Sequence, residues 1–225
     1  MNQEAGYRVA RARMVSEQLR GAGLADPRVL GAMRDVPRHR FVPKLLRHRA
    51  YQPCALPIGS GQTISQPFTV ALTCALLELK GDESALEIGT GSGYQAAVLS
   101  RLCAQVLTIE RVEPLARRAA IVLAELDHAN VTVLCADGCE PVSGQGPFDA
   151  IVVTACADRF PDTLYRQLRA GGRLVVPLAQ TGGGQTLYRF TREPRQPRIE
   201  RSLDCRFVPL VRGPLARAAA ETGED

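Results

Sequence analysis

The stretch LEIGTGSGYQAA, residues 86–97, runs an apolar segment into glycines at positions 89, 91 and 93 and out into a helix-forming segment. A short apolar run bounded by glycines reads as a buried strand, and YQAAVLSRLC reads as the helix that follows. In an open parallel sheet, ligands sit beyond the carboxyl ends of the strands, where glycines let the backbone approach closely. About twenty residues on, a second strand, AQVLTIER, ends in Glu110, whose carboxylate can accept hydrogen bonds from two ribose hydroxyls. The pair reads as an adenosine site.

Spacing leaves two cofactors open. Gly91-Ser92-Gly93-Tyr94-Gln95-Ala96 fits the dinucleotide pattern G-x-G-x-x-A, with Glu110 at a suitable distance. Three features favour S-adenosyl-L-methionine over NAD. Glu87, just before the first glycine, can hold an ammonium group that NAD lacks at this position. Asp137-Gly138, after a third strand, can meet an adenine amino group. The chain also closes in strands rather than in a long second substrate domain.

Outward from this loop, strands and helices alternate. SALEIGT, AQVLTIER, NVTVLCAD, GPFDAIVVTAC and RLVVPLA read as strands. Helices are expected over 69–79, YQAAVLSRLC, VEPLARRAAIVLAELD and PDTLYRQLRAGG. QTLYRFTRE, RQPRIERSLD and RFVPLVRG read as a hairpin and an edge strand. The fold class expected is α/β, a doubly wound, mostly parallel Rossmann-like sheet with a C-terminal antiparallel edge. Residues 8–34 read as two helices, the first stopped at Gly21 and Gly23, the second opened by Asp26-Pro27. The organisation expected is an N-terminal helical segment and loop over 1–68, an α/β core over 69–213 and a polar, disordered tail over 214–225.

Composition narrows the classes. The 225 residues carry a net charge of +5, with no apolar run long enough to span a membrane and no apolar signal core at the start. A cytoplasmic location is the expectation. Seven cysteines, none spaced C-x-x-C, and three scattered histidines give no readable metal site. Residues 1–50 hold 11 Lys/Arg against 4 Asp/Glu, leaving 17 against 19 for the remainder. That basic segment raises nucleic acid as a partner, although a solvated helical face explains it as well. No N-P-P-Y follows the fourth strand, as base N-methylation usually requires. Cys54 or Cys156 would have to serve as nucleophile for cytosine C5 chemistry.

LPIGSGQTISQP, residues 56–67, is a polar, glycine-containing stretch before an apolar helix, and by itself it reads as a loop with Ser65 near the helix N-cap. Together with SEQLRGAGLADPRVLGAM, VPRHRFVP, LEIGTGSGYQAAVLSRL, IER, PFDAIVVTA, GGRLVVPL and RFVPLVRG, it makes the chain resemble the protein-L-isoaspartate O-methyltransferases over roughly residues 8–213. The resemblance implies methyl transfer from S-adenosyl-L-methionine to the α-carboxylate of L-isoaspartyl residues. The ester then cyclises to a succinimide, and its hydrolysis returns some normal aspartate. It assigns Ser65 to the active site. It assigns Thr63, Ile64, Glu87, Gly89, Thr90, Gly91, Ser92, Gly93, Glu110, Asp137, Gly138 and Thr154 to the cofactor. It implies isoaspartyl-containing proteins and peptides as partners and a monomer. Three departures stand out. Tyr51 is followed by Gln52-Pro53-Cys54 rather than an acidic residue, Ala136-Asp137-Gly138 replaces G-D-G, and Thr154-Ala155-Cys156 replaces T-A-A. A carboxylate nucleophile, with a pKa of about 3.5–4, is ionised at pH 7 and needs no general base.

Overall fold

The structure, a computed structural model, describes residues 3–141 and 144–213, so the tail expected over 214–225 lies outside the described residues. A seven-stranded sheet forms its centre, in the order β5-β4-β3-β6-β7-β8-β9. β3 (Ser84–Ile88), β4 (Gln105–Glu110), β5 (Val131–Cys135), β6 (Phe148–Val153) and β7 (Leu168–Ala179) run parallel. β8 (Gln185–Thr191) and β9 (Arg198–Cys205) add antiparallel at one edge. The order reverses between β3 and β6, and such a switch point opens a crevice at the strands' carboxyl ends.

Central strands are continuous apolar runs because both faces are covered. Ala85, Ala150, Val152 and Val175 join one buried cluster, which also takes in Met14, Val15, Leu30 and Met33 from the N-terminal helices. Leu86, Ile88, Ile151, Val153, Leu174 and Val176 alternate onto the other face and join a second cluster. On the first face pack α1 (Gln3–Arg13), which continues as a π-helical turn over Met14–Leu19, and α2 (Pro27–Asp35), α3 (Pro67–Leu76), α4 (Tyr94–Leu99) and α5 (Glu113–Glu125). Asp26 caps α2 by accepting from the N–H groups of Arg28 and Val29, with Pro27 in the first turn.

Three elements differ from the sequence reading. LPIGSGQTISQP is a β-hairpin, β1 (Leu56–Gly59) and β2 (Gln62–Ile64), rather than a loop. Its two turn residues, Ser60 and Gly61, both have positive φ (53° and 69°), the signature of a tight turn that suits the strand twist. The helix expected over PDTLYRQLRAGG is one turn, α6 (Asp162–Tyr165), and Leu168 onward belongs to β7. Leu164 and Leu168, both buried, mimic a helical spacing. A side chain at 172 would stand 2.9 Å from Arg169 O and 3.0 Å from Asp149 O, so the close approach of β7 to β6 needs the glycine. RFVPLVRG is not an edge strand. It crosses the end of β6, bound through Cys156 N–H to Val208 O and Leu210 N–H to Cys156 O (both 2.7 Å). Pro209, between those two residues, has no N–H to give to a ladder.

All seven cysteines are free thiols. No helix among the described residues is long and apolar enough to cross a membrane.

Candidate functional site

A cleft opens where the strand order reverses. The glycine loop, the ends of β3, β4 and β6, the hairpin residues Gln62 to Ser65, and the segment Val208–Val211 line it. Of the thirteen residues singled out in the sequence, twelve line this cleft: Thr63, Ile64, Ser65, Glu87, Gly89, Thr90, Gly91, Ser92, Glu110, Asp137, Gly138 and Thr154.

Gly93 is the exception. It holds φ +86°, and a Cβ there would stand 3.2 Å from Ala119 Cβ and 3.3 Å from Leu123 Cδ1. The approach of α4 to α5 therefore requires a glycine here. Gly89 and Gly91 also have positive φ (95° and 53°). A Cβ at Gly89 would lie 2.3 Å from Thr154 Oγ1. Thr154 in turn donates to Gly89 O at 2.7 Å, locking the loop onto β6. A Cβ at Gly138 would meet Ile88 Cγ2 at 2.6 Å.

Glu87 is fully buried beside this loop. Thr108 Oγ1 donates to its Oε2 at 2.6 Å and pairs with Thr90 Oγ1 at 2.6 Å. Its other oxygen, Oε1, has no partner. Burial, reinforced by the charge of Glu110, pushes the Glu87 carboxyl up to about 8 despite the Thr108 bond. A buried acceptor left open at a cleft wall is costly unless something arrives to meet it. Gln95, from the first turn of α4, presents the converse. It is buried and lines the cleft, and its Nε2 donor has no partner. An open acceptor and an open donor in one cleft suit a zwitterionic α-amino-acid group.

Glu110 closes β4. Its Oε2 accepts from Gly91 N–H at 2.8 Å and its Oε1 from Val112 N–H at 2.9 Å. Each oxygen keeps a further lone pair for a hydroxyl of a ligand. Asp137 accepts from Cys139 N–H and Gly213 N–H (both 2.9 Å). Partial burial acts to raise its pKa, but these backbone donors hold it below the ordinary carboxylate range.

The hairpin lies against the glycine loop. A Cβ on Gly91 would touch Ile58 Cδ1 at 3.4 Å, and Arg118 of α5 donates to Ile58 O at 2.6 Å. Ser65, half-buried, follows β2. The N-cap of α3 is Gln66, with no side-chain cap, so the Ser65 hydroxyl is not used in starting that helix. Gln185 does not line the cleft. Its amide donates to Phe207 O (3.0 Å) and accepts from Phe207 N–H (2.6 Å), fixing the start of the crossing segment. Sequence reading missed Gln95 and Val208–Val211 as cleft residues. Gln95 is hidden in a helical pattern, and RFVPLVRG reads as an edge strand rather than as a wall of the cleft. Cys156 is buried, does not line the cleft, and has its thiol pushed up by that burial.

The comparisons agree with this geometry. The family model for protein-L-isoaspartate(D-aspartate) O-methyltransferase matches residues 10–214. Protein-L-isoaspartate O-methyltransferase 2 of Shewanella sediminis is 47% identical over 97% of this chain and 88% of its own length. The protein-L-isoaspartate O-methyltransferase of Trichlorobacter lovleyi is 48% identical over 91% of this chain and 94% of its own. A solved protein-L-isoaspartate O-methyltransferase superposes with a TM-score of 0.80 at 28% identity, covering 91% of this chain and 67% of that one. A Plasmodium falciparum structure described as in complex with S-adenosyl-L-homocysteine shares the fold, with a TM-score of 0.77 at 24% identity over 89% of this chain and 98% of that one. With the cleft, its glycine loop and the hairpin above it all in place, the chain belongs to the protein-L-isoaspartate(D-aspartate) O-methyltransferase family.

Proposed function

We propose that the chain methylates the α-carboxylate of L-isoaspartyl residues in damaged proteins and peptides, with S-adenosyl-L-methionine held in this cleft, and so initiates repair through a succinimide. The observation that carries the reading is the cleft itself. It joins the open Glu87 acceptor and the Glu110 carboxylate to the half-buried Ser65 on the hairpin above them.

When bound, S-adenosyl-L-methionine supplies a methyl on a sulfonium, and its transfer to a carboxylate oxygen leaves a neutral thioether and a neutral ester with no proton to move. The chain's residues therefore bind and orient. Glu87 Oε1 receives an ammonium group, and Gln95 Nε2 is the complementary donor for a carboxylate. Glu110 accepts from ribose hydroxyls. Asp137 and Gly138 border the adenine. Thr63, Ile64, Thr90, Ser92 and Thr154 complete the walls. Ser65 offers its hydroxyl to the incoming carboxylate. No histidine lines the cleft, in keeping with a nucleophile that is already ionised. Rate then comes from proximity and orientation, worth roughly 7–11 kcal/mol in favourable cases. Residues 69–213 act as the cofactor-binding core, with 1–68 covering it. The same reading places the chain in the cytoplasm and takes it as a monomer, and sedimentation of the purified protein checks the monomer.

The test is methyl transfer from labelled S-adenosyl-L-methionine to a matched isoaspartyl and aspartyl peptide pair. Base-labile label on the isoaspartyl peptide alone is the expected result. Label on neither, with cofactor binding intact, overturns the reading.

A further inference from the structure

Arg38 stands in VPRHRFVP, residues 36–43, a stretch to which the proposed reaction gives no task. Its side chain is fully buried. Nε donates to Ala50 O and Nη2 to Ser65 O, both at 2.7 Å. The guanidinium carbon lies 4.9 Å from the centre of the Tyr94 ring, and Nη1 has no partner. No carboxylate pairs with it among the described residues. The titratable groups that face it are Tyr94, Cys54 and Tyr51. Burial lowers its pKa to about 10, so it remains a cation at neutral pH.

A buried charge without a counter-ion is costly, and an apolar side chain of similar volume fills such a space at less expense of free energy. The guanidinium is therefore placed for its charge and its fork of donors. Nε of that fork holds Ala50, away from the cleft, whereas Nη2 and the charge beside Tyr94 act toward it. Tyr94, whose ring it faces, lines the cleft, and Ser65, whose carbonyl it holds, is the residue expected to meet the substrate.

We propose that Arg38 is a positioning residue for the methyl-accepting carboxylate: it fixes the backbone of Ser65 and, through the unpaired charge behind Tyr94 and Ser65, favours an anionic group in that part of the cleft. The inference rests on the reading that Ser65 meets the carboxylate. Methyl transfer removes both the carboxylate and the sulfonium charge. A cation nearby thus stabilises the bound substrate anion at least as much as the transition state, so its loss raises KM without lowering kcat.

The experiment compares the unaltered protein with Arg38→Gln and Arg38→Lys. Steady-state methylation of an isoaspartyl peptide, S-adenosyl-L-homocysteine affinity and thermal melting are measured for each. Arg38→Gln is expected to raise KM for the peptide about tenfold or more while kcat changes less than about threefold and S-adenosyl-L-homocysteine affinity holds. Arg38→Lys, which keeps the charge but not the fork, is expected to recover part of that loss. An unchanged KM in Arg38→Gln overturns the proposal, as does a loss of S-adenosyl-L-homocysteine affinity in step with KM. If Arg38→Gln does not fold, competition on the unaltered protein decides. The α-carboxamide analogue of the peptide is expected to bind about tenfold weaker than the isoaspartyl acid, and equal binding overturns the proposal. Absence of methyl transfer by the unaltered protein would remove the parent reading, and this one with it.

Discussion

Glu87 illustrates how one side chain couples stability to occupancy. The unfolded chain ionises it near 4.5, whereas the folded chain holds its proton up to about 8. Between those values the folded state binds the extra proton, so its stability falls as pH rises through that window and levels off above it. Glu87→Gln removes that dependence. Cofactor-free wild type is expected to lose ground to the variant between about pH 5 and 8, by a few kcal/mol in total, as read by denaturant melts across that range. The same variant is expected to lose affinity for S-adenosyl-L-homocysteine by about tenfold or more. Ser65 predicts a different pattern. Ser65→Ala is expected to lower methylation of an isoaspartyl peptide roughly tenfold to a hundredfold while S-adenosyl-L-homocysteine affinity stays within about twofold. Equal turnover by the variant would assign the hydroxyl no part in the reaction.

Among the elements, the glycine loop has two jobs that separate cleanly. Gly89 and Gly91 bend the backbone around the cleft, whereas Gly93 lets α4 sit on α5. Gly93→Ala puts a Cβ at positive φ against Ala119 and Leu123. It is expected to destabilise the fold by about 1–3 kcal/mol in a denaturant titration, with cofactor affinity in the surviving folded protein little changed. The contrast also explains what was legible in the sequence. LEIGTGSG and IER were readable because strand, turn and helix signals coincide there and each chemical role follows from residue type. The α2 start was readable because Asp26-Pro27 carries its own capping chemistry. The hairpin was not, because Ser60-Gly61 is a weaker turn signal than Asn-Gly and its strands are only four and three residues long. The extent of α6 was overrun because Leu164 and Leu168 share a helical spacing that pairing with β6 overrides. Arg38 was invisible as a functional side chain. Nothing local distinguishes a buried arginine from its exposed neighbours in a segment so rich in them.

At the scale of the molecule, the sheet divides two buried clusters and the N-terminal third closes one of them. This changes the meaning of the basic N-terminal segment. Arg28 donates to Leu79 O and Leu102 O, Arg38 lies in the core, and Arg40 pairs with Glu125 of α5. Part of that basic segment thus serves to join the N-terminal helices to the α/β core. The far edge of the sheet is joined to the cleft as well. After β9 the chain turns back, is held at Phe207 by Gln185, crosses the end of β6 at Cys156, and ends its described course with Gly213 N–H on Asp137 Oδ2. That last bond joins residues 76 apart in sequence at the wall of the cleft. A ligand seated beside Asp137 must either brace the crossing segment or loosen it. The amide of Gly213 is therefore a natural reporter whose hydrogen–deuterium exchange is expected to change by severalfold on addition of S-adenosyl-L-homocysteine, while amides in the centre of β6 hold steady.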